Sequence, residues 1–482
     1  MAIKGGQIIH AGNGNLVIDR IQTGGPGQLN IPTEKIYELG NYKSVATVRD
    51  TPDLTFSLES FDVSTEIEAM LAGQAQTRNF TGDMPAGNTL TATDANFTSA
   101  DVGTQIVVEG AGPAGADLNT TVSGVTNATT ATLADAATTA VNGAQVELSQ
   151  AGGIDLAKAV PIDIASQFKA GQNAPEPFKV ISSIAAPFLY VEQMSYRFGL
   201  RDNASQTAQL RGDTIFYNPG ATFTQTVAGT GVAGQTIATS NPAYQVAEGD
   251  NRRVLAVTAG TKRLSFGADY TETYGGVGAD GAAVTTVTID EAVPTNQNIR
   301  IVYSSPSQVD YPQSVHPSVV VKPAAVKGRD IEIYLGGYDP DDVAGSQVNK
   351  LTSVQAANVD WRVTIEKDEE FGNAYAVGQD FDVPQVNGSI DIKPRDPAEL
   401  LALLRKAAGV TDPNAVLGTK SSVPLPMDIV VKNPDDNDRT MKRLHVPDAR
   451  FTPPGVSGRV QQKLTTSLPF ESDEGTLLVY SR

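Results

Sequence analysis

The residues with the capacity for chemistry are few and far apart. The three histidines, His10, His316 and His445, are scattered along the chain, and no HxH or HxxxH pair offers two imidazoles to one metal ion. Cysteine is absent, which removes disulfides, thiol nucleophiles and thiolate ligands together and leaves the redox compartment open. Carboxylates crowd into "YDPDDVAGS" at 338–346 and "NPDDNDR" at 433–439, but neither has the ligand spacing of an EF-hand, and Asp-Pro pairs are ordinary turn formers. "AGNGN" at 11–15 and "GTGVAG" at 229–234 are rich in glycine. Neither stands between a strand and an amphipathic helix, as a phosphate-cradling loop must. The sequence leaves paired carboxylates for glycoside hydrolysis open, although an enzyme cleaving glycans usually shows clustered aromatics to bind sugar rings, and this chain has one Trp and only 6% aromatic residues. The expectation is a protein with no catalytic residue, cofactor or metal.

The elements that would position any site read mostly as strands. Forty-five glycines and 28 prolines, abundant Thr and Val, and pairs such as Asn142-Gly143 and Asn387-Gly388, read as turns, fit many short strands joined by tight connections. In "VDWRVTIE", Val359, Trp361, Val363 and Ile365 share one face while Asp360, Arg362, Thr364 and Glu366 share the other, the period of a half-buried strand. Leu54, Phe56 and Leu58 do the same in "LTFSL". With 482 residues and 40% apolar content the chain can bury a large core and divides, by length, into about three or four domains. A net charge of −18 argues against a surface built to grip phosphates. No run approaches the ~18 apolar residues of a membrane helix, and "MAIKGGQIIHAGNGN" lacks the apolar core of a signal peptide, so synthesis in the cytoplasm without membrane association is expected.

One helix is specified at both ends. In "DIKPRDPAELLALLRKAAGV", Asp396 is placed as N-cap, Pro397 takes the first helical position, Glu399 lies in the first turn, and Gly409 can stop the helix in the left-handed conformation. Leu400, Leu401, Leu403 and Leu404 form its apolar side. "FSLESFDVSTEIEAMLAG" at 56–73 has the same build: Glu66-Ile67-x-Ala69-Met70-Leu71 lines up with Glu399-Leu400-x-Ala402-Leu403-Leu404. Each follows a strand ending in an alternating pair, Phe56/Leu58 and Ile390/Ile392. Each also precedes a hairpin, one built on Met194, Tyr196, Phe198 and Leu200 before a turn at Asp202-Asn203. The other is built on Leu464, Leu468 and Phe470 beyond a turn at Pro454-Gly455. Two strings in one order point to an internal duplication. The division expected is 1–78 with 150–220 as a first module, 306–482 as a second, and two small β domains at 79–149 and 221–305, where Val and Leu recur between turn signals in segments rich in Thr, Ala and Gly. The fold class is mainly β: two β-sandwich modules, each with a flanking helix, plus the two small β domains.

The order of strand, "SLESFDVSTEIEAMLAG" and hairpin "YVEQMSYRFGLRDNASQTAQLRGD" resembles the major tail tube proteins of tailed bacteriophages, and "VDWRVTIEKDEEFGN", "VPQVNGSIDIKPRDPAELLALLRKAAG" and "QKLTTSLPFESDEG" resemble a second copy. "DANFTSADVGTQIVVEGAG" is similar to small β modules of other phage virion proteins. The resemblance lies in pattern, without an invariant signature. It implies a virion protein that polymerises with itself, six modules to a ring and therefore three chains to a ring here. Rings would stack into a tube that meets other tail proteins and lets DNA slide through an acidic or neutral lumen without binding it. "GNYKSVATVRDTPD" and "EKDEEFGNAYAVGQDFDVP" are then the candidate stacking loops. Glu66, Ile67, Leu71, Glu399, Leu400, Leu403, Leu404 and Trp361 would be the packing residues of the module helices and core. The competing readings are a carbohydrate-binding or carbohydrate-cleaving β protein of a virion or cell surface, and an adhesin-like array of β domains.

Overall fold

The computed structural model describes residues 7–11, 16–18, 21–30, 33–36, 46–49, 52–61, 67–68, 78–93, 95, 97, 101–102, 105–148, 154–156, 161–169, 180–247, 252–307, 326–338, 350–368, 378–393, 402, 405, 410, 423–435, 439–452 and 466–480. Among them the chain is mainly β, with no helix of seven or more residues. It opens with β1 (Gln7–Ala11), β2 (Leu16–Ile18), β3 (Ile21–Asn30), the hairpin β4 (Thr33–Ile36) and β5 (Ala46–Arg49), and β6 (Asp53–Ser60). Next come β7 (Arg78–Met84), β8 (Gly87–Thr91), β9 (Gln105–Val108), β10 (Leu118–Asn127), β11 (Thr130–Ala137) and β12 (Val141–Leu148). They are followed by β13 (Ile154–Asp155), β14 (Ile162–Lys169), β15 (Val180–Gly199), β16 (Ser205–Gly212) and β17 (Phe216–Pro219). The middle of the chain holds β18 (Ala221–Ala228), β19 (Gln235–Ala238), β20 (Val254–Ala259), β21 (Lys262–Leu264), β22 (Tyr270–Tyr274), β23 (Thr285–Ile289) and β24 (Asn298–Ser305). The last stretch holds β25 (Ile331–Leu335), β26 (Val354–Arg362), the hairpin β27 (Ile365–Asp368) and β28 (Gly378–Phe381), and β29 (Gln385–Ile392). It ends with β30 (Leu425–Asn433), β31 (Arg439–Phe451), β32 (Thr466–Ser472) and β33 (Leu478–Tyr480).

Alternation decides which side chains enter the core. Leu54, Phe56 and Leu58 are buried while Thr55 and Ser57 are exposed. Val359, Trp361, Val363 and Ile365 are all buried, as their spacing predicts, but "VDWRVTIE" is two strands. The pairing changes partner there: β26 pairs β29, β27 pairs β28, and between them the Val363 N–H donates to the Glu192 carbonyl at 2.9 Å. Leu200, expected to continue the alternation of β15, is exposed beyond its end. Neither Asn-Gly pair is a turn. Asn387-Gly388 lies inside β29, where a Cβ on Gly388 would meet the Asn358 carbonyl oxygen at 2.1 Å and the Phe470 ring at 2.7 Å; the glycine permits close approach of a backbone and an aromatic ring. Asn142-Gly143 sits at a register shift in β12, with Gly143 at φ 61°, a glycine-bearing bulge.

The large sheet repeats its own pairing order. In the first part of the chain the strands lie as β3-β6-β16-β15-β14-β1, and in the last part as β26-β29-β32-β31-β30-β25. β17 adds to β15 as β33 adds to β31, and the hairpin β4–β5 falls between β3 and β6 as β27–β28 falls between β26 and β29. Irregularities recur at matched places. The shift between Ile21 and Thr23 on β3 matches that between Val354 and Ala356 on β26. Ile162 to Ile164 against Leu189 to Ala186 matches Leu425 to Met427 against Ala449 to Val446, with Pro187 and Pro447 inside the two bulges, where a missing N–H is tolerated. Phe168 and Lys169 against Ser182 and Val180 match Val431 and Lys432 against Lys442 and Thr440. Bulges are structural features that families keep, and three in register make coincidence a poor explanation. The pairing aligns Leu58 with Ile390 and Ser60 with Ile392, two residues away from the match that alternation alone suggests.

The two halves share one core, running from Leu54, Phe56 and Leu58 through Met194 and Trp361 to Ile390, Val446 and Phe470. Strands β10-β11-β8-β7-β12-β9 close into a separate barrel around Leu90, Val108, Leu133 and Val146. Strands β18–β24 form two further sheets with their own core around Val257, Val287 and Ile301. This unit is fastened to the first half by buried ion pairs, Arg263–Asp213 at 2.8 Å and Arg300–Asp163 at 3.3 Å, and by apolar packing of Leu255 and Val302 with Phe216 and Ala185.

Candidate assembly surface

The halves are joined edge to edge. β15 is long enough to carry β14 along Val180–Leu189 and then, on its later residues, both β16 and β26. Met194 lies opposite Trp361, Tyr196 opposite Val359 and Phe198 opposite Ala357. All six face the common core, so the junction is sealed by hydrophobic burial as well as by the ladder.

A buried charge spans the same junction. Lys442, on β31 of the second half, donates hydrogen bonds to Glu68 Oε1 and, at 2.8 Å, to Gln206 Oε1 of the first. The Tyr196 hydroxyl donates to the same Glu68 oxygen at 2.8 Å, and the Lys442 ammonium stands 4.6 Å from the centre of the Tyr196 ring. Lys442 and Glu68 are both 0% exposed. Burial and the adjacent Glu68 carboxylate hold the Tyr196 phenol well above its ordinary pKa, so it remains a donor. A buried pair of this kind adds little net stability, but removing either partner strands a charge. Its geometric effect is to fix which part of the second half lies over which part of the first.

Among the described residues the counterpart of this junction, on β3, is open. β26 has β29 on one edge and β15 on the other, whereas β3, its equivalent, pairs with β6 and has no second strand among the described residues. A ten-residue strand with one edge unfilled among the described residues presents a row of backbone donors and acceptors to another chain. The strand that would face it in the repeat is β31: Phe451 matches Val191 through their pairing with Phe470 and Leu210. The residues that correspond to the β26-binding part of β15 follow Phe451 in sequence.

Of the residues singled out from the sequence, Trp361 lies 1% exposed at the junction and Ile67 is buried in the common core. Ile67 and Glu68 are helical, as are Ala402 and Arg405, and the Val410 N–H donates to the Arg405 carbonyl at 2.9 Å. Glu66, Leu71, Glu399, Leu400, Leu403 and Leu404 lie outside the described residues. Sequence reasoning missed Glu68, Gln206 and Lys442. A period-2 reading held the signal, since Lys442, Leu444 and Val446 share a face, as do Gln206, Ala208 and Leu210.

His445 Nδ1 meets Asp428 Oδ1 at 2.8 Å across the β30–β31 pair. Among the described residues no group of three or more His, Asp or Glu side chains could hold a metal ion. His316 and most of the two acidic stretches lie outside them. No described helix is long and apolar enough to cross a membrane. No family model matches the chain, and no curated protein matches it.

Proposed function

We propose that this chain is a structural tail tube protein of a tailed bacteriophage, carrying two tube modules, each with a flanking helix, and polymerising into rings that stack around a channel for DNA. The observation that carries this reading is the edge of β3 that no described strand fills. Its equivalent, β26, is already filled within the chain by β15, so the described residues contain one copy of the joint and not the other. A neighbour whose second half meets that edge makes a head-to-tail contact that is heterologous and closes into a ring when the rotation permits. Three chains give six modules.

The hairpins β4–β5 and β27–β28, which hold much of the two stacking-loop candidates, occupy equivalent places and serve as the contacts between rings. The barrel of β7–β12 and the sheets of β18–β24 decorate the outside of the tube. The chain's net charge of −18 suits a conduit that must not retain phosphates. Other tail proteins cap the ends, the assembled site is the virion tail, and no enzymatic step is involved. Negative-stain microscopy of the purified chain over rising concentration tests this: hollow stacked rings are expected, and separate particles at every concentration would overturn it.

A further inference from the structure

The three matched bulges allow a comparison, residue by residue, of the two ends of the repeat. Val431, Lys442, Leu444 and Val479 of the second half are all at most 1% exposed, covered by the common core and by the Glu68 site of the first half. Their counterparts, fixed by the same pairings, are Phe168, Ser182, Ile184 and Tyr217. These are uncovered to varying degree: Tyr217 is 75% exposed, and Phe168, Ser182 and Ile184 are half-buried. Beside them Ile181, the extra residue of the last bulge, is 52% exposed, where its counterpart Met441 packs against the core. A tyrosine, two isoleucines and a phenylalanine gathered at one sheet end form an apolar patch of the kind that marks an interface. Nearer the bend of β15, Ile164, Ala186 and Phe188 are fully buried, so among the described residues it is the far end of the first half that is exposed.

We infer that this patch docks on the second half of another copy of the chain, and that a charge code restricts it to that half. This rests on the ring reading above. Within the chain, an end bearing Lys442 meets a body bearing Glu68. The patch bears Ser182 in place of Lys442. An end of the second half on a body of the first is a matched ion pair. An end of the first half on a body of the first would instead bury Glu68 against Ser182 with no cation, which is strongly unfavourable. Halves must then alternate around a ring.

Because the chain has no cysteine, single-cysteine footprinting is unambiguous. In Tyr217→Cys, maleimide labelling is expected to be at least tenfold slower in assembled rings than in dispersed chains, while a control Val232→Cys, 65% exposed in the β18–β24 unit, keeps its rate. Rings in which position 217 labels as fast as position 232 would overturn the docking surface and leave the ring reading standing; a wild type that never forms rings would remove both. For the code, Ser182→Lys is expected to raise the concentration needed for assembly at least tenfold, because the patch then buries a charge, without lowering the melting temperature of the dispersed chain. Assembly of Ser182→Lys at wild-type concentration would refute it.

Discussion

Replacing Lys442 by methionine tests whether the contact between the halves is organised as described. The substitution keeps a long flexible side chain, so the cavity term is small, and removes the charge. Lost with it are two charge-assisted hydrogen bonds, to Glu68 and Gln206, each worth ~1.5–3 kcal/mol, and the contact with the Tyr196 ring. Glu68, 0% exposed, then keeps the Tyr196 hydroxyl as a donor but has no cation. Breaking a buried pair on one side costs about 3–5 kcal/mol, and methionine packing offsets only part of the lost bonds, so that range is expected for Lys442→Met. Adding Glu68→Gln removes the stranded charge and keeps an oxygen for the Tyr196 hydroxyl. The double variant is expected to recover most of the loss, ending within ~1–2 kcal/mol of wild type, a coupling of the size seen between residues in one network. The assay is urea unfolding of dispersed chain followed by fluorescence of Trp361, the single tryptophan, which lies in the same core. A cost below ~1 kcal/mol for Lys442→Met, or a double variant worse than the single, would show that the pair does not bridge the halves.

Two further outcomes follow from the same core and its margin. Trp361→Ala, at a side chain 1% exposed opposite Met194 and Val386, is expected to cost about 3–5 kcal/mol; calorimetry showing an unchanged melting temperature would place this residue outside the junction. Glu332 is acted on by burial, which raises its pKa, and by bonds from Lys350, Tyr334 and Lys432, which prevail and hold it down to about 2 against an ordinary 4.5. A carboxylate lowered in this way contributes stability that is complete above its unfolded pKa and is lost as the pH falls from 4.5 to about 2. Glu332→Gln should therefore flatten the acid limb of stability in that window, and an unchanged limb would contradict the assignment.

Much of the secondary structure was legible because burial imposes a short period on the residues. The alternations of "LTFSL" and "VDWRVTIE" mark the buried faces of β6, β26 and β27, and the two matching sequence strings point to a duplication. The joining of β15 to β26 was not legible, since strands more than a hundred residues apart pair through contacts that leave no local signal. The Asn-Gly pairs misled for a related reason: the glycine that a turn needs for positive φ is also the glycine that a bulge or a close backbone approach needs. Lys442 was overlooked although its spacing to Leu444 and Val446 points inward, because a lysine in a strand is ordinarily taken to face water.

The most direct test is the rotational symmetry of an assembled ring determined by electron cryomicroscopy. Three chains around an open axis, with the free margin of each first half filled by the second half of its neighbour, is the predicted result. Six chains to a ring, or a closed particle with no axial channel, would contradict it.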